Sequence, residues 1–409
     1  MSEQPLIYLD YNATTPVDPR VLDAMLPYFR EKFGNAASTS HAYGWEAADA
    51  VEHARQQVAD LINATPKEIV FTSGASESDN IAIKGVMEKY ANKGNHLITV
   101  STEHKAVLDT AKYLEDRGCK VTYLPVDKYG RITPEQVEEA ITDDTVLISV
   151  MLANNETGVL QPVKEIGAVA EKHGVYFHCD ATQAVGKVPI DVREMNIHLL
   201  SLSAHKIYGP KGVGALYARN RNPRVRPEAV IHGGGHEQKM RSGTLNVPGI
   251  VGLGAACEIC MNEMEAEIPK LATLRDRLEQ GIMEQLDEVY INGHPTERLP
   301  NTTNLSFSYI EGESIMLMAR DIAVSSGSAC TSASLEKSFV LVAMGLTDAL
   351  CHASLRFSLG RFTTKGEIDH TIERIVKAVN RLREMSPLYE LAQKGVDLDK
   401  VEWKDDHHH

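Results

Sequence analysis

A single lysine, Lys206, stands between a short apolar run and a glycine-rich turn in the stretch from Ser201 to Tyr217. A strand that ends in Ser-x-x-His-Lys and is followed by glycines exposes the lysine amine at the carboxyl end of the strand. An amine in this setting can form a Schiff base with a carbonyl compound, either a substrate or an aldehyde cofactor. The alternative is an ordinary surface lysine after a strand, which is the commoner situation in proteins. Other residues must decide between the two.

Three more polar residues follow apolar runs that are typical of buried strands. Asp180 ends such a run, and Gln183 lies three residues further on. A carboxylate held there can pair with the protonated ring nitrogen of pyridoxal phosphate, which makes the ring an electron sink. The alternative role for Asp180 is to cap the next helix. His104 follows another strand, where its imidazole either stacks on a flat cofactor or caps the helix that begins there.

Small and hydroxylated residues offer candidate anion sites. The residues from Ser73 to Ser78 connect a strand to a helix, where free backbone N–H groups and hydroxyls can bind a phosphate. Many helices begin this way only to cap themselves. Asn154 and Asn155 follow another strand and can donate to a ring oxygen, and the RSGT segment at 241–244 offers a cation and a hydroxyl. The chain has no GxxxxGK[ST] motif, and no G-x-G-x-x-G follows its first strand, which disfavours nucleotide binding by those routes.

One cysteine, Cys330, stands in a loop of small residues from Ser325 to Glu336. Such a loop is a poor place for a structural cysteine, so its thiolate is a candidate nucleophile, although the composition alone favours a bystander thiol. Cys257 and Cys260 form a Cys-x-x-Cys pair, but they lie in an apolar helical stretch without a second pair. That setting indicates core residues rather than a metal or redox site.

The composition limits the functional classes. The chain has 409 residues, 43% of them hydrophobic, which suffices for a large core and two domains. A net charge of −14 supplies no broad basic face, so no nucleic-acid partner is expected. The chain contains no run of about 20 apolar residues, so no membrane span is expected. Met1 to Leu9 lacks the features of a secretory signal. Six scattered cysteines fit reduced thiols, and we expect a cytoplasmic protein.

The elements that must position these residues alternate between apolar strands and helices from Glu68 to Ser203. This alternation is typical of an α/β fold with a mainly parallel sheet covered on both faces. Ligands of such sheets bind beyond the carboxyl ends of the strands, where the polar residues above fall. After about residue 260 the composition changes to charged helices, which predicts a second, smaller α+β domain. We expect residues 16–260 to form the large domain, and 1–15 with 261–409 the small one.

Nine motifs, in order, resemble those of cysteine desulfurases, and more narrowly the housekeeping NifS/IscS type of iron–sulfur cluster assembly. They are YLDYNATTPVDPRV, FTSGASESDN, TEHKAV, NNETGV, DATQAVGK, SAHKIYGPKG, HGGGHEQKMRSGT, SSGSACTSASLE and RFSLGRFT. The resemblance runs from about Leu6 to Trp403, which is nearly the whole chain. It implies a pyridoxal 5′-phosphate enzyme of fold type I. Such an enzyme is a homodimer whose large domain contains a mainly parallel seven-stranded sheet.

The resemblance also implies a role for each matching residue. Lys206 holds the cofactor, Cys330 accepts the sulfur, and His104 acts in catalysis and stacks on the cofactor ring. Asn155 and Arg356 bind the substrate carboxylate. The residues expected around the cofactor are Ala75, Ser76, His104, Asn155, Asp180, Gln183, Ser203, His205, Lys206 and, reaching across the dimer, Thr244. Of these, Asp180 meets the ring nitrogen and Gln183 the phenolic oxygen, while the phosphate is held by Ala75, Ser76, Ser203, His205 and Thr244.

The activity implied is removal of sulfur from L-cysteine, giving L-alanine and a persulfide on Cys330. The persulfide passes its sulfur to an iron–sulfur scaffold protein, which docks on the tail VDLDKVEW, and to other acceptors. No intrinsic metal is implied, and Cys330 acts at most as a transient cluster ligand through its persulfide. Three positions depart from the pattern: Ser76 replaces Thr and keeps the hydroxyl, Lys337 replaces Pro, and Val342 replaces Arg. The last two bear on partner docking rather than on chemistry.

Two other functions remain open at this point. A selenocysteine lyase or another fold-type-I enzyme, such as an aminotransferase, would keep Lys206 and Asp180, but an aminotransferase would not need Cys330. A protein that only binds and delivers sulfur-carrying proteins would hold no cofactor.

Overall fold

A computed structural model describes residues 6–326 and 337–394 of the chain. Its strands are β1 (Ile7–Tyr8), β2 (Ile69–Thr72), β3 (His96–Val100), β4 (Lys120–Leu124), β5 (Thr145–Ser149), β6 (Tyr176–Asp180), β7 (Leu199–Ser203), β8 (Gly214–Ala218), β9 (Val289–Ile291), β10 (Thr302–Phe307), β11 (Ile322–Ala323), β12 (Ser325–Ser326) and β13 (Ser354–Ser358). Its helices are α1 (Pro19–Met25), α2 (Pro27–Arg30), α3 (Ala42–Leu61), α4 (Ala75–Lys89), α5 (Lys105–Glu115), α6 (Pro134–Ala140), α7 (Val163–His173), α8 (Val247–Met283), α9 (Gly312–Met318), α10 (Phe339–Ala343), α11 (Asp348–His352), α12 (Lys365–Glu384) and α13 (Pro387–Gln393).

Seven strands form the large sheet, in the order β2-β8-β7-β6-β5-β3-β4. β8 runs antiparallel to both of its neighbours, and the other pairs are parallel. Side chains along each strand alternate between two apolar clusters: Leu147 belongs to one and Ile148 to the other, as do Leu199 and Leu200. Because successive side chains of a strand point to opposite faces, both faces of this sheet are buried.

Helices cover both faces of the large sheet. α3, α6, α7 and the first part of α8 contribute to the cluster on one face, and α4 and α5 to the cluster on the other. The predicted mainly parallel sheet between two helical layers is therefore confirmed, together with the smaller α+β part described next.

The smaller part contains an antiparallel sheet in the order β12-β13-β10-β9. The short parallel pair of β1 and β11 lies beside it, and β1 brings the beginning of the chain to this region. Its core includes Ile7, Leu278, Phe307, Phe357 and Ile375, which come from widely separated stretches. Residues near the start of the chain thus share a core with residues after 270.

Helix α8 is continuous over 37 residues and passes the expected domain boundary without a break. Its Cys260 belongs to the core of the large part, whereas its Leu271 belongs to the core of the small part. We propose that the division between residues 260 and 261 lies inside this helix, because the helix changes cores there. Cys257 and Cys260 are both buried among apolar side chains, as expected. Within 6–326 and 337–394, no helix is both long enough and apolar enough to span a membrane.

Candidate active site

A cavity of about 820 Å³ opens where the strands of the large sheet end, and most of the predicted site residues line it. They are Ala75, Ser76, His104, Asn155, Asp180, Gln183, Ser203, His205, Lys206 and Arg356. Thr244 is exposed and does not line the cavity of its own chain. Cys330 lies outside the described residues. Ser325, five positions earlier in the sequence, lines the cavity wall.

The Lys206 amine is held by the N-terminal segment of the chain. Its Nζ donates to the carbonyl oxygens of Asn12, at 2.5 Å, and Ala13, at 2.8 Å. The turn around Lys206 is fixed by the same segment, since Thr15 donates its backbone N–H and its hydroxyl to the carbonyl of His205. The lysine that follows β7 is thus placed by residues almost two hundred positions away in sequence.

The first turn of α4 forms one wall of the cavity. Its N-cap residue, Gly74, makes no side-chain hydrogen bond and has a φ of +151°. Residues other than glycine rarely adopt this backbone conformation. The first amides of a helix have no partner within the helix and favour an anion. Ala75 and Ser76 therefore bring N–H groups and a hydroxyl to the cavity, as the anion site requires.

Glycine also allows this turn to lie close to the neighbouring strand. A Cβ atom on Gly214 would lie 2.5 Å from the carbonyl oxygen of Leu202 and 2.7 Å from the Cα atom of Gly74. Both are backbone atoms, which cannot move without shifting a strand or the helix. Gly214 therefore sets the distance between the start of α4 and the end of β7, where Ser203 lies.

Arg241, the cation of the RSGT segment, is paired with a carboxylate and is not available as an unpaired positive charge for the anion site. Arg241 forms an ion pair with Glu77 at 2.8 Å, and Glu77 also accepts from the backbone N–H of Ser73 at 2.7 Å. These contacts lower the pKa of Glu77 against the opposing effect of its burial. Arg241 thus offsets a carboxylate that lines the cavity beside the anion site.

His104 caps a helix and also lines the cavity. Its Nδ1 accepts from the backbone N–H of Ala106 at 3.1 Å and so caps α5, while the ring lines the cavity. The surrounding protein keeps bulk water away and lowers the pKa of His104, and the nearby Lys206 adds to this effect. The neutral ring carries its hydrogen on Nε2, because Nδ1 acts as an acceptor.

His205 is also neutral at physiological pH. Burial lowers its pKa to about 4, and Lys206, Lys211 and Lys187 contribute to the shift. One ring nitrogen, Nδ1, contacts the hydroxyl of Thr14 at 3.2 Å. His205 can therefore bind an anion through a hydrogen bond but not through a full positive charge.

Asp180 ends β6 with its carboxylate at the cavity. Its Oδ1 accepts from the backbone N–H of Thr182 at 2.9 Å, inside a turn rather than at the start of a helix. The residue is 5% exposed. A carboxylate at this depth needs a positively charged or hydrogen-bonding partner, which the protonated ring nitrogen of a cofactor can supply.

Asn12 is a part of the site for which the sequence indicated no role. Its carbonyl oxygen accepts from Lys206 and also from Nε2 of Gln183, at 2.9 Å. Its side chain donates to the carbonyl of Asn155 and to the hydroxyl of Thr302. Asn12 is 1% exposed, so the polar turn after β1 is a buried junction between the two parts of the molecule. The only available signal was the position of Asn12 within the motif YLDYNATT.

Arg356 is buried at the cavity wall and already has several partners. It donates to Asp10 at 2.7 Å, to the backbone carbonyl of Asn155 at 3.0 Å and to the hydroxyl of Ser325 at 3.1 Å. Its Nε has no partner among the described residues. The sequence did not predict the pairing with Asp10, which neutralises part of the charge that a substrate carboxylate would meet.

These residues fit pyridoxal phosphate. The cavity provides an amine on Lys206, a buried carboxylate on Asp180, a flat neutral ring on His104 and a helix N-terminus suited to a phosphate. The missing Cβ atoms of Gly74 and Gly214 leave room for the backbone at the phosphate end. The donor set suits a flat, anionic aldehyde better than it suits a nucleotide or a metal ion.

Comparisons with known proteins agree with this chemistry. Residues 7–371 match the model of the aminotransferase class-V family. A cysteine desulfurase IscS from an Anaeromyxobacter species is 58% identical over 98% of this chain and 99% of its own length. The human cysteine desulfurase is 57% identical over 97% of this chain and 87% of its own length.

Solved structures give the same result. A NifS-like protein superposes with a TM-score of 0.85 at 39% identity, covering 92% of this chain and 99% of that one. A structure of SspA in complex with cysteine has a TM-score of 0.74 at 40% identity, covering 88% of this chain and 100% of that one. This chain belongs to the class-V aminotransferase family, within which it is a cysteine desulfurase that uses pyridoxal 5′-phosphate.

Proposed function

We propose that the cavity removes sulfur from L-cysteine and transfers it to Cys330. The observation that carries this proposal is that Lys206, Asp180 and His104, at the ends of three strands of the large sheet, line one cavity together with Arg356 from within β13 of the small sheet. The SspA structure supports cysteine as the substrate, because that relative was solved in complex with cysteine. Bound pyridoxal phosphate withdraws electrons from the Cα atom of an amino acid and so weakens the bonds around it.

The residues of the chain divide the remaining work. Lys206 would hold the cofactor through its amine, and the same amine is placed to remove and return the proton at Cα of the substrate. Asp180 would pair with the protonated ring nitrogen of the cofactor, and His104 would contact its ring. The amides of Ala75 and Ser76, with Ser203 and His205, hold the phosphate.

The substrate carboxylate is bound by Asn155 and Arg356 in this proposal. The guanidinium of Arg356 is paired with Asp10, so the carboxylate binds to a partly neutralised cation.

Sulfur transfer is assigned to the thiolate of Cys330. It attacks the sulfur of the substrate, an S–S bond forms, and the C–S bond of cysteine breaks. The electron pair of that bond stays on carbon and is protonated, which gives alanine. Cys330 lies outside the described residues. Ser325, which lines the cavity, is five positions earlier, and five extended residues span at most about 18 Å, so this is the greatest distance between Cys330 and Ser325.

The substitution Cys330→Ala tests the assignment. The variant should bind pyridoxal phosphate and cysteine as the wild type does, since no cavity residue changes, but it should carry no persulfide. Mass spectrometry after incubation with cysteine measures the added sulfur, and Cys351→Ala, which removes a buried thiol, is the control. A Cys330→Ala variant that still delivered sulfur to a scaffold protein would contradict the proposal.

We also propose that the enzyme is a homodimer. Exposed apolar side chains of α2, α3 and the segment between them, including Phe29, Phe33, Tyr43 and Trp45, favour a covered surface there, and Phe33 packs against Tyr43. Thr244, which is exposed and outside its own cavity, is then available to a second cavity. Sedimentation measurements should give twice the mass of one chain.

Scaffold docking and a cytoplasmic location remain predictions. The tail VDLDKVEW lies outside the described residues. Lys337, one of the departures from the family pattern, forms an ion pair with Asp348, and Val342 is 46% exposed on α10. Both residues follow the Cys330 loop in sequence and can affect which acceptor receives the sulfur.

A further inference from the structure

Lys187 lies behind the cavity and contacts a residue that lines it. Its Nζ donates to the backbone carbonyl of Gln183 at 3.0 Å and to the side-chain Oε1 of Gln183 at 3.1 Å. Gln183 lines the large cavity, whereas Lys187 lines a much smaller one of about 20 Å³ together with Cys260 and Glu267. The lysine is thus separated from the cofactor site by the side chain of Gln183.

The two neighbours of the Gln183 amide differ in hydrogen-bonding character. A backbone carbonyl only accepts, so it selects the nitrogen of the amide, and the lysine amine, which has N–H donors in both its charged and its neutral form, donates to the oxygen. Gln183 meets Lys187 through Oε1 and the carbonyl of Asn12 through Nε2. Rotating the amide by half a turn would place donor against donor and acceptor against acceptor. The orientation therefore follows from chemistry at both ends.

We propose that Lys187 is a positioning residue that fixes the amide of Gln183, so that only its N–H groups are available to the cofactor. One N–H binds Asn12 and the second is left for the phenolic oxygen of the cofactor. Since a phenolate needs a donor, the locked orientation stabilises its negative charge. This inference rests on the proposed function, because it takes Gln183 as the partner of that oxygen.

The surroundings of Lys187 explain why it holds this contact. Burial above all, together with the cations Lys206 and Arg356, lowers its pKa to about 7, while Cys260 opposes them. A buried amine is stabilised by acceptors, and Gln183 supplies two of them. The ionisable side chains that share the small cavity with Lys187 are Tyr11, Lys206, Tyr208, Cys260 and Glu267.

The test compares Lys187→Met with Gln183→Leu and the double variant, all loaded with pyridoxal phosphate. Without the lysine, the amide of Gln183 can turn its oxygen toward the phenolate, which disfavours the more negative form of the bound cofactor. The pH midpoint of the visible absorption band should therefore rise by about one unit in Lys187→Met. Gln183→Leu should shift it in the same direction, and adding Lys187→Met to Gln183→Leu should produce no further shift.

Two controls and a replacement variant make the result decisive. Lys187→Arg keeps a donor-only group and should return the midpoint toward the wild-type value. Lys172→Met removes an exposed lysine on α7 and should leave it unchanged. If Lys187→Met does not fold, Lys187→Gln takes its place in the same cycle. An unchanged midpoint in the Lys187 variant, with a shift in the Gln183 variant, would overturn the inference and leave the site proposal intact. A wild-type protein that binds no pyridoxal phosphate would overturn both.

Discussion

The side chains of this site depend on contacts that span most of the chain. Lys206 is held by the carbonyls of Asn12 and Ala13, and Arg356 is paired with Asp10. Lys206 follows the end of β7 and Arg356 lies within β13, and both are oriented by the segment that follows β1. A small change in that segment therefore reaches both the lysine and the arginine.

The first prediction concerns the amine of Lys206. Lys206→Arg keeps a positive charge but cannot bind an aldehyde covalently, so turnover should fall by about 1,000-fold or more. After borohydride reduction, mass spectrometry should find pyridoxal phosphate on the wild-type peptide that contains residue 206 and not on the variant. Lys172→Arg, on the surface, should behave as wild type. Wild-type activity in Lys206→Arg would remove this lysine from the mechanism.

The sequence identified the chemical groups but not their partners. Lys206, Asp180 and His104 were found because each follows an apolar strand, and strand ends meet at one edge of a parallel sheet. Asn12 and Asp10 were missed, because their contacts with Lys206 and Arg356 join residues far apart in sequence. Local patterns carry no information about such pairs.

At the scale of elements, the start of α4 and the antiparallel strand β8 depend on each other. Gly214 begins β8 and pairs with Thr72 on one side and Ser203 on the other. It therefore joins the strands that lead to the anion site and to Lys206. The absence of a side chain at this position is what allows α4 to begin so close to β7.

Gly214→Ala should weaken both folding and cofactor binding. The added Cβ would clash with backbone atoms of Leu202 and Gly74, which costs about 1–3 kcal/mol of the free energy of unfolding. Gly366→Ala is the control, since a Cβ there meets nothing within 4 Å and alanine favours the helix by up to about 1 kcal/mol. Urea unfolding and a pyridoxal phosphate titration measure the two effects. Equal stability of the two variants would refute this account of Gly214.

An ion pair joins β11 to α12 and makes the stability of the small part depend on pH. Asp321 accepts hydrogen bonds from Arg374 at 2.8 Å and from His370 at 2.9 Å. Mainly because of the contact with Arg374, and also because of His370, the pKa of Asp321 is lowered to about 2. A lowered carboxyl pKa stabilises the fold above the unfolded value of 3.8, and this stability is lost as the pH falls through about 2.

Asp321→Asn should therefore lower the free energy of unfolding by about 2 kcal/mol at pH 7. The difference from wild type should shrink as the pH falls from about 4 to 2, because the wild-type carboxylate is protonated there. Asp369→Asn, on α12 like Arg374, breaks an exposed pair with Arg277 of α8 and should have no measurable effect. Chemical denaturation at a series of pH values measures both variants. A constant difference between Asp321→Asn and wild type at every pH would contradict the assignment.

At the scale of the whole molecule, the sequence predicted the layers better than the connection between them. Alternating apolar strands and helices indicated the large sheet, because buried parallel strands leave a strong pattern. The continuous helix α8 was not expected, since its composition changes from apolar to charged near residue 260. Each half packs on a different core, so the change in composition reflects the two surroundings of one helix.

Alanine release from L-cysteine tests the central claim most directly. The purified protein loaded with pyridoxal phosphate is given L-cysteine and dithiothreitol, with no keto acid. The account predicts alanine and sulfide in equal amounts, because each turnover leaves one sulfur on Cys330 that the dithiol reduces. No alanine, or alanine formed only after a keto acid is added, would contradict it.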